Sequence, residues 1–368
     1  MAFRIATAEN SDRQESRQVF LSRWTRLANA LAFRRAIRHS VCLCGPPARL
    51  HERSICLTPG GRAAFGSTEF RYGCSADVAV FLNGWGRGMP RGSQVKERWL
   101  LHQEPPPYID LRGEAAEELT SRFSRVYTCH PRLLEQGRNF IPSPPFVHWL
   151  TGYGYDFLRD QREPPKRRGL SIVGTGTANL PGHAARSAFI SDLCESGLDF
   201  DLYGSPEWSR YAQYRGPLGP LLNFERAPPT GSRAAAPQKW DVYAPSKYAL
   251  VIENHAGPYY WSEKITDAFL AFCIPIYHGC TNIADYFPAG SFIRLESLDK
   301  RGIAQVHDIV RSDDHHSRRD QLLEARRRVL TTHNLFAFLD AEVGGRGGTA
   351  RSAAAAAPII ASSAGGVP

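Results

Sequence analysis

Residues Tyr248–Gly279 read YALVIENHAGPYYWSEKITDAFLAFCIPIYHG, and the fold is decided there. The stretch opens on an apolar run that ends at Glu253 and Asn254. Such a run, bounded by polar residues, fits a strand buried on both faces. A loop, HAGPYYW, follows. Ser262 then stands as an N-cap, with Glu263 and Lys264 in the first turn of a helix spanning SEKITDAFLAFC. Ile265, Ala268, Phe269 and Phe272 share one face of that helix and belong to the core. IPIYHG is a second buried strand. Strand, helix and strand in this order build a mainly parallel sheet covered by helices.

The same alternation continues on both sides. Upstream lie the strand LSIVGTG, the helix AARSAFISDLCESG with Gly197 just past its end, and the strand FDLYG. Ser205–Pro245 is rich in proline and reads as a long irregular loop. Downstream, GSFIRLES and one helix over RDQLLEARRRVLTTHNLFAFL complete the unit. REPPKRRG (Arg162–Gly169) is a linker. Before it runs another series: a strand FRIATA, a helix over Gln18–His39, then SVCLC, ADVAVFLNGW, RWLLHQEPPPY, the helix EAAEELTSRF and RVYTCH. The chain therefore divides into an α/β domain over 1–163, a second over 164–341, and a low-complexity tail over 342–368. Residues after about Gly344 have too few large apolar groups to pack, and truncation there is expected to leave melting temperature and activity unchanged.

Composition narrows the function classes. The chain has 368 residues, 42% hydrophobic and 11% aromatic, enough for two cores. Its net charge of +9 admits phosphorylated ligands, an anionic membrane surface or nucleic acid. No nucleic-acid reading motif or aromatic-basic repeat is visible, so nucleic acid is set aside. No apolar run reaches the roughly 20 residues of a membrane span, and AFRIATAENSD after Met1 is not a signal peptide. The eight cysteines include no Cys-x-x-Cys, and read as buried thiols of a reducing compartment without a zinc site. The expected location is cytoplasmic, with loose attachment to the inner membrane through the basic surface.

In open α/β sheets, ligands bind at the carboxyl ends of strands, which is where Glu253 and Asn254 fall. A helix N-terminus at Ser262 attracts phosphate, and Lys264 adds a full charge where the helix dipole alone would disfavour one. His278, at the end of IPIYHG, is either catalytic or a hydrogen-bonded structural residue.

The segment from Tyr248 to Ser297 resembles the C-terminal signature of the family 10 glycosyltransferases, the α-1,3/α-1,4-fucosyltransferases. The elements that carry the resemblance are Glu253-Asn254, Trp261-Ser262-Glu263-Lys264, Ile274-Pro275-Ile276 and Pro288 to Ile293. Upstream, Arg186 falls where that family has a phosphate-contacting arginine, and HQEPPPY resembles its Glu-Ser-Pro stretch. His255 stands for the usual serine, Ser262 for threonine, and Pro105 for serine. The resemblance implies a GT-B fold: two Rossmann-like domains facing across a cleft, the first for acceptor and the second for donor. It implies GDP-β-L-fucose as donor, a glycan hydroxyl of a surface polysaccharide, lipopolysaccharide or capsule as acceptor, inversion, and no required metal or other cofactor.

In that scheme Glu104 is the base that takes the acceptor proton, or else a solvated residue before a proline turn. Glu263 stabilises the oxocarbenium-like sugar or holds a hydroxyl, or is an ordinary first-turn glutamate. Arg186, Lys264 and the Ser262 helix end hold the diphosphate, and Asn254 and Tyr260 contact the donor. Asp199-Phe200-Asp201 has the spacing of a metal–diphosphate bridge, but it enters a strand at the end away from the cleft. Alternatives are the same fold with another sugar nucleotide, or a catalytically silent glycan- or nucleotide-binding module.

Overall fold

Two parallel sheets, each flanked by helices, make up the computed structural model, which describes residues 36–45, 54–72, 75–84, 94–113, 115–176, 180–219 and 236–345. The first sheet contains β1 (His39–Cys44), β2 (Ala64–Phe65), β3 (Thr68–Tyr72), β4 (Ala76–Leu82), β5 (Val95–Leu101), β6 (Arg125–Thr128) and β7 (Phe140–Pro142). Its order is β2-β3-β1-β4-β5-β6-β7, and only the β2–β3 pair is antiparallel. The helices α1 (Pro106–Arg112), α2 (Ala116–Arg122) and α3 (Pro131–Leu134) connect its later strands.

After α4 (Tyr155–Asp160), the second sheet is built from β8 (Arg168–Gly174), β9 (Asp201–Gly204), β10 (Tyr214–Gly216), β11 (Ser246–Ile252), β12 (Ile274–His278) and β13 (Ile293–Arg294). It is parallel throughout, in the order β10-β9-β8-β11-β12-β13. That is the doubly wound pattern, whose strand order reverses between β8 and β11. Around it lie α5 (Pro181–Glu195), α6 (Lys239–Tyr243), α7 (Glu263–Leu270), α8 (Lys300–Ser312), α9 (Arg319–Thr331) and α10 (Leu335–Val343). The whole is a GT-B-like arrangement of two Rossmann-like domains. No helix among the described residues is long and apolar enough to cross a membrane.

Several local expectations change. The strand FRIATA and most of the Gln18–His39 helix lie outside the described residues, and His39 already belongs to β1. The Ser205–Pro245 stretch is not wholly irregular: a 3-10 turn, β10 and α6 fall within it. α7 stops at Leu270, before Phe272, whose φ of 58° is left-handed and incompatible with continuing the helix. The single helix expected near the end is two. Asn334 divides them: its amide donates to the carbonyls of Val329 and Leu330, and its oxygen accepts from the N–H of Ala337. One side chain thus closes α9 and caps α10.

α10 also runs through Glu342, which the sequence reading placed at the head of the tail. The helix packs on the first sheet rather than the second. Phe336 meets Phe70 edge-on at 4.9 Å, and Phe338 stacks on Phe146 at 4.3 Å. Asp340 accepts from the Ser67 N–H at 2.9 Å and the Thr68 hydroxyl at 2.8 Å, and Glu342 accepts from the Tyr127 hydroxyl at 2.7 Å. Asp340→Ala would strand the Ser67 N–H and the Thr68 hydroxyl. It is expected to cost about 2–3 kcal/mol, read as a lower midpoint of urea unfolding.

Candidate active site

The reversal between β8 and β11 leaves a crevice at their carboxyl ends. A cavity of about 270 Å³ opens there, lined by Thr175, His183, Arg186, Lys239, Asn254, Glu263 and Lys264 among others. Thr175 follows β8, Asn254 follows β11, and the helices after those two strands, α5 and α7, supply His183, Arg186, Glu263 and Lys264.

The start of α5 comes unusually close to the β11 end. A Cβ on Gly182 would lie 1.9 Å from the Asn254 carbonyl oxygen. Only glycine lets the helix reach that position. Gly182→Ala is therefore expected to push α5 outward and lower the melting temperature, while circular dichroism still shows a folded sheet.

That approach places Arg186, which is 6% exposed, inside the cavity wall. Its guanidinium donates to the Asn254 side-chain oxygen and, at 3.2 Å, to the Thr175 hydroxyl. Burial holds the Arg186 pKa below its ordinary value, against the pull of Glu253 and Glu263. Among the described residues no carboxylate forms an ion pair with it.

Ser262 caps α7 as expected, its hydroxyl accepting from the Lys264 N–H. The same serine is anchored by Glu253, whose carboxylate accepts the Ser262 N–H at 2.9 Å and its hydroxyl at 2.6 Å. The Lys264 ammonium donates to Ser262 Oγ at 3.1 Å and Glu263 Oε1 at 3.3 Å, and lies 3.6 Å from Glu253. Burial works against the Lys264 charge, but Glu263 and Glu253 outweigh it and raise its pKa. Glu253 is buried, and burial raises its pKa despite Lys264. For Glu263, burial is outweighed by Lys264 and Lys239, and its pKa is lowered. Glu263 thus stays ionised at neutral pH.

The first domain brings Glu104 toward the start of α7. Glu104 follows β5 and is half-buried; desolvation raises its pKa while Arg112 and Lys264 lower it and Glu263 raises it. These mutual influences put Glu104 within electrostatic reach of the α7 start. Tyr260 is buried, its pKa raised by burial and by the carboxylates Glu253, Glu263 and Glu104. It meets the His255 ring edge-on at 5.9 Å. The neighbouring Tyr259 is held at φ 64°, with its N–H donated to Asn282 Oδ1 at 2.7 Å.

The structure thus gathers Arg186, Asn254, Glu263 and Lys264 around one cavity, whereas Ser262, Tyr260 and Glu104 do not line it. Sequence reading missed His183, Thr175 and Lys239 as wall residues, and Glu253 as the anchor of Ser262. Lys239 pairs with buried Asp267 at 2.6 Å, and Asp267 also accepts the Leu150 N–H at 2.8 Å. Burial pushes Asp267 up to about 6. His278 does not line the cavity, and its Nδ1 pairs with the Leu295 carbonyl at 3.0 Å. Asp201 is held by Arg168 and Arg215, and no group of three or more His, Cys, Asp or Glu is gathered for a metal among the described residues.

No protein-family model and no curated protein matches the chain. Among solved structures it is similar to an α1,3-fucosyltransferase, at 15% identity over 78% of this chain and 82% of that one, with a TM-score of 0.42. The same enzyme with GDP-fucose gives 15% identity over the same shares and a TM-score of 0.39. An α-glucosyltransferase in complex with UDP gives 8% identity over 84% of this chain and 99% of that one, with a TM-score of 0.47.

Proposed function

We propose that the chain is an inverting glycosyltransferase that moves L-fucose from GDP-β-L-fucose to a glycan hydroxyl. The observation that carries this reading is Arg186: a buried guanidinium with neutral hydrogen-bond partners, in a cavity at the strand-order reversal. A buried charge needs a counter-charge, and a diphosphate supplies it. Lys264 and the amino end of α7 stand beside it. The motif elements around Glu253–Lys264 favour a GDP-fucose donor.

Glu104 takes the proton of the acceptor hydroxyl as its oxygen attacks the anomeric carbon. The bond from that carbon to the diphosphate oxygen breaks, and its electron pair leaves with GDP. Arg186 and Lys264 stabilise the charge that develops there. Ionised Glu263 faces the sugar, where positive charge develops. Asn254 and Tyr260 hold the donor.

The test is incubation with GDP-fucose and a panel of GlcNAc- and glucose-terminated acceptors, read by mass spectrometry. Transfer is expected to continue in excess EDTA, and GDP is expected to raise the melting temperature without Mg²⁺. Loss of activity in EDTA with recovery in Mn²⁺ would refute the metal-free mechanism. Stabilisation by UDP but not GDP would assign the cleft to a different sugar nucleotide.

A further inference from the structure

His183 stands in the first turn of α5, three residues before Arg186, and its side chain is buried. It lines the cavity together with Arg186 from its own helix, Lys264 and Glu263 from α7, Lys239 from α6, Asn254 after β11 and Thr175 after β8. The Asn254 side chain lies close enough to favour the charged imidazole, yet the buried Nδ1 has no hydrogen-bond partner. An unpaired buried polar atom costs stability, which a ligand can recover.

We infer that His183 takes up a proton when the diphosphate of a sugar nucleotide enters this cavity, and becomes its third cationic ligand beside Arg186 and Lys264. This rests on the reading of the cavity as a sugar-nucleotide site. Burial, Arg186 and Lys264 all hold the imidazole below its ordinary pKa, against the Asn254 side chain, so it is neutral at physiological pH. A diphosphate brings two negative charges to the same wall and reverses that balance. A group protonated only in the complex makes binding tighten as pH falls.

Calorimetry of the full chain with GDP-fucose tests this, since its diphosphate diester does not itself titrate near neutrality. Runs in buffers of different ionisation enthalpy are expected to show uptake of up to one proton. Affinity is expected to fall by up to about tenfold per pH unit as pH rises through neutrality. His183→Gln should abolish the uptake and flatten the pH profile. Uptake that persists in this variant would assign the proton to Glu253 or Asp267 and overturn the inference. Binding by the wild type with no uptake would overturn it while leaving the donor assignment intact. No binding of GDP-fucose at any pH would instead remove the donor reading and this inference together. Should His183→Gln not fold, ¹⁵N-histidine spectra of the wild type decide: one ring converting to imidazolium on addition of GDP-fucose supports the inference, and none overturns it.

Discussion

Lys264→Ala is expected to lower fucosyl transfer by about two orders of magnitude or more, the range for removing a group that stabilises a leaving anion. It is also expected to lower the melting temperature. An exposed first-turn lysine would leave the fold untouched, but the Lys264 side chain is only 23% exposed and sits between Glu253 and Glu263. Without it, two carboxylates face each other in a largely dry site, and breaking such a buried pair costs about 3–5 kcal/mol. Glu253, already raised by burial, would rise further and take up a proton as pH falls. The stability deficit should therefore shrink on acidification and be largest at neutral and alkaline pH. The double variant Lys264→Ala/Glu253→Gln separates the two effects. It should regain much of the lost melting temperature and none of the lost transfer. Near-normal turnover in either variant would remove Lys264 from the chemistry.

Glu104→Gln is expected to reduce transfer by about 10² or more while GDP binding persists, because the amide keeps the shape but cannot accept a proton. The pH profile gives an independent check. Desolvation raises the Glu104 pKa against Arg112 and Lys264. The base must be ionised, so the acid limb of the wild-type profile should lie above the ordinary glutamate value, and rate should fall as pH drops through it. Wild-type rates from Glu104→Gln would make Glu104 a turn residue and place the base elsewhere in the first domain.

The α/β class was legible because β8, β11 and β12 each carry a short apolar run followed by polar or glycine-containing residues. Ser262 and Lys264 were legible for a different reason: each stands at a helix start after such a strand, where the topology brings ligands, whereas Arg186 was singled out by the family resemblance alone. What escaped the sequence depends on contacts across long separations. Lys239 lies in a proline-rich stretch with no periodicity, and only its pairing with Asp267 explains its burial. Glu253 was placed at a strand end, but its grip on Ser262 needs the return of the HAGPYYW loop. His183 did carry a local signal, at helical spacing three residues before Arg186. The final helix was extended too far because no proline or glycine separates α9 from α10; the break falls at Asn334, whose backbone is extended and whose side chain caps both helices.

α10 gives the protein a closed chain path. The first sheet receives Phe336, Phe338, Asp340 and Glu342 from the far end of the sequence. During synthesis, the domain made first therefore cannot finish folding until the ribosome has delivered nearly everything that follows. Until then the face around Phe70 and Tyr127 stands open to solvent and to chaperones. A fragment of the first domain alone inherits the same gap. A circular permutant that begins at α10 would instead let this domain mature as it emerges.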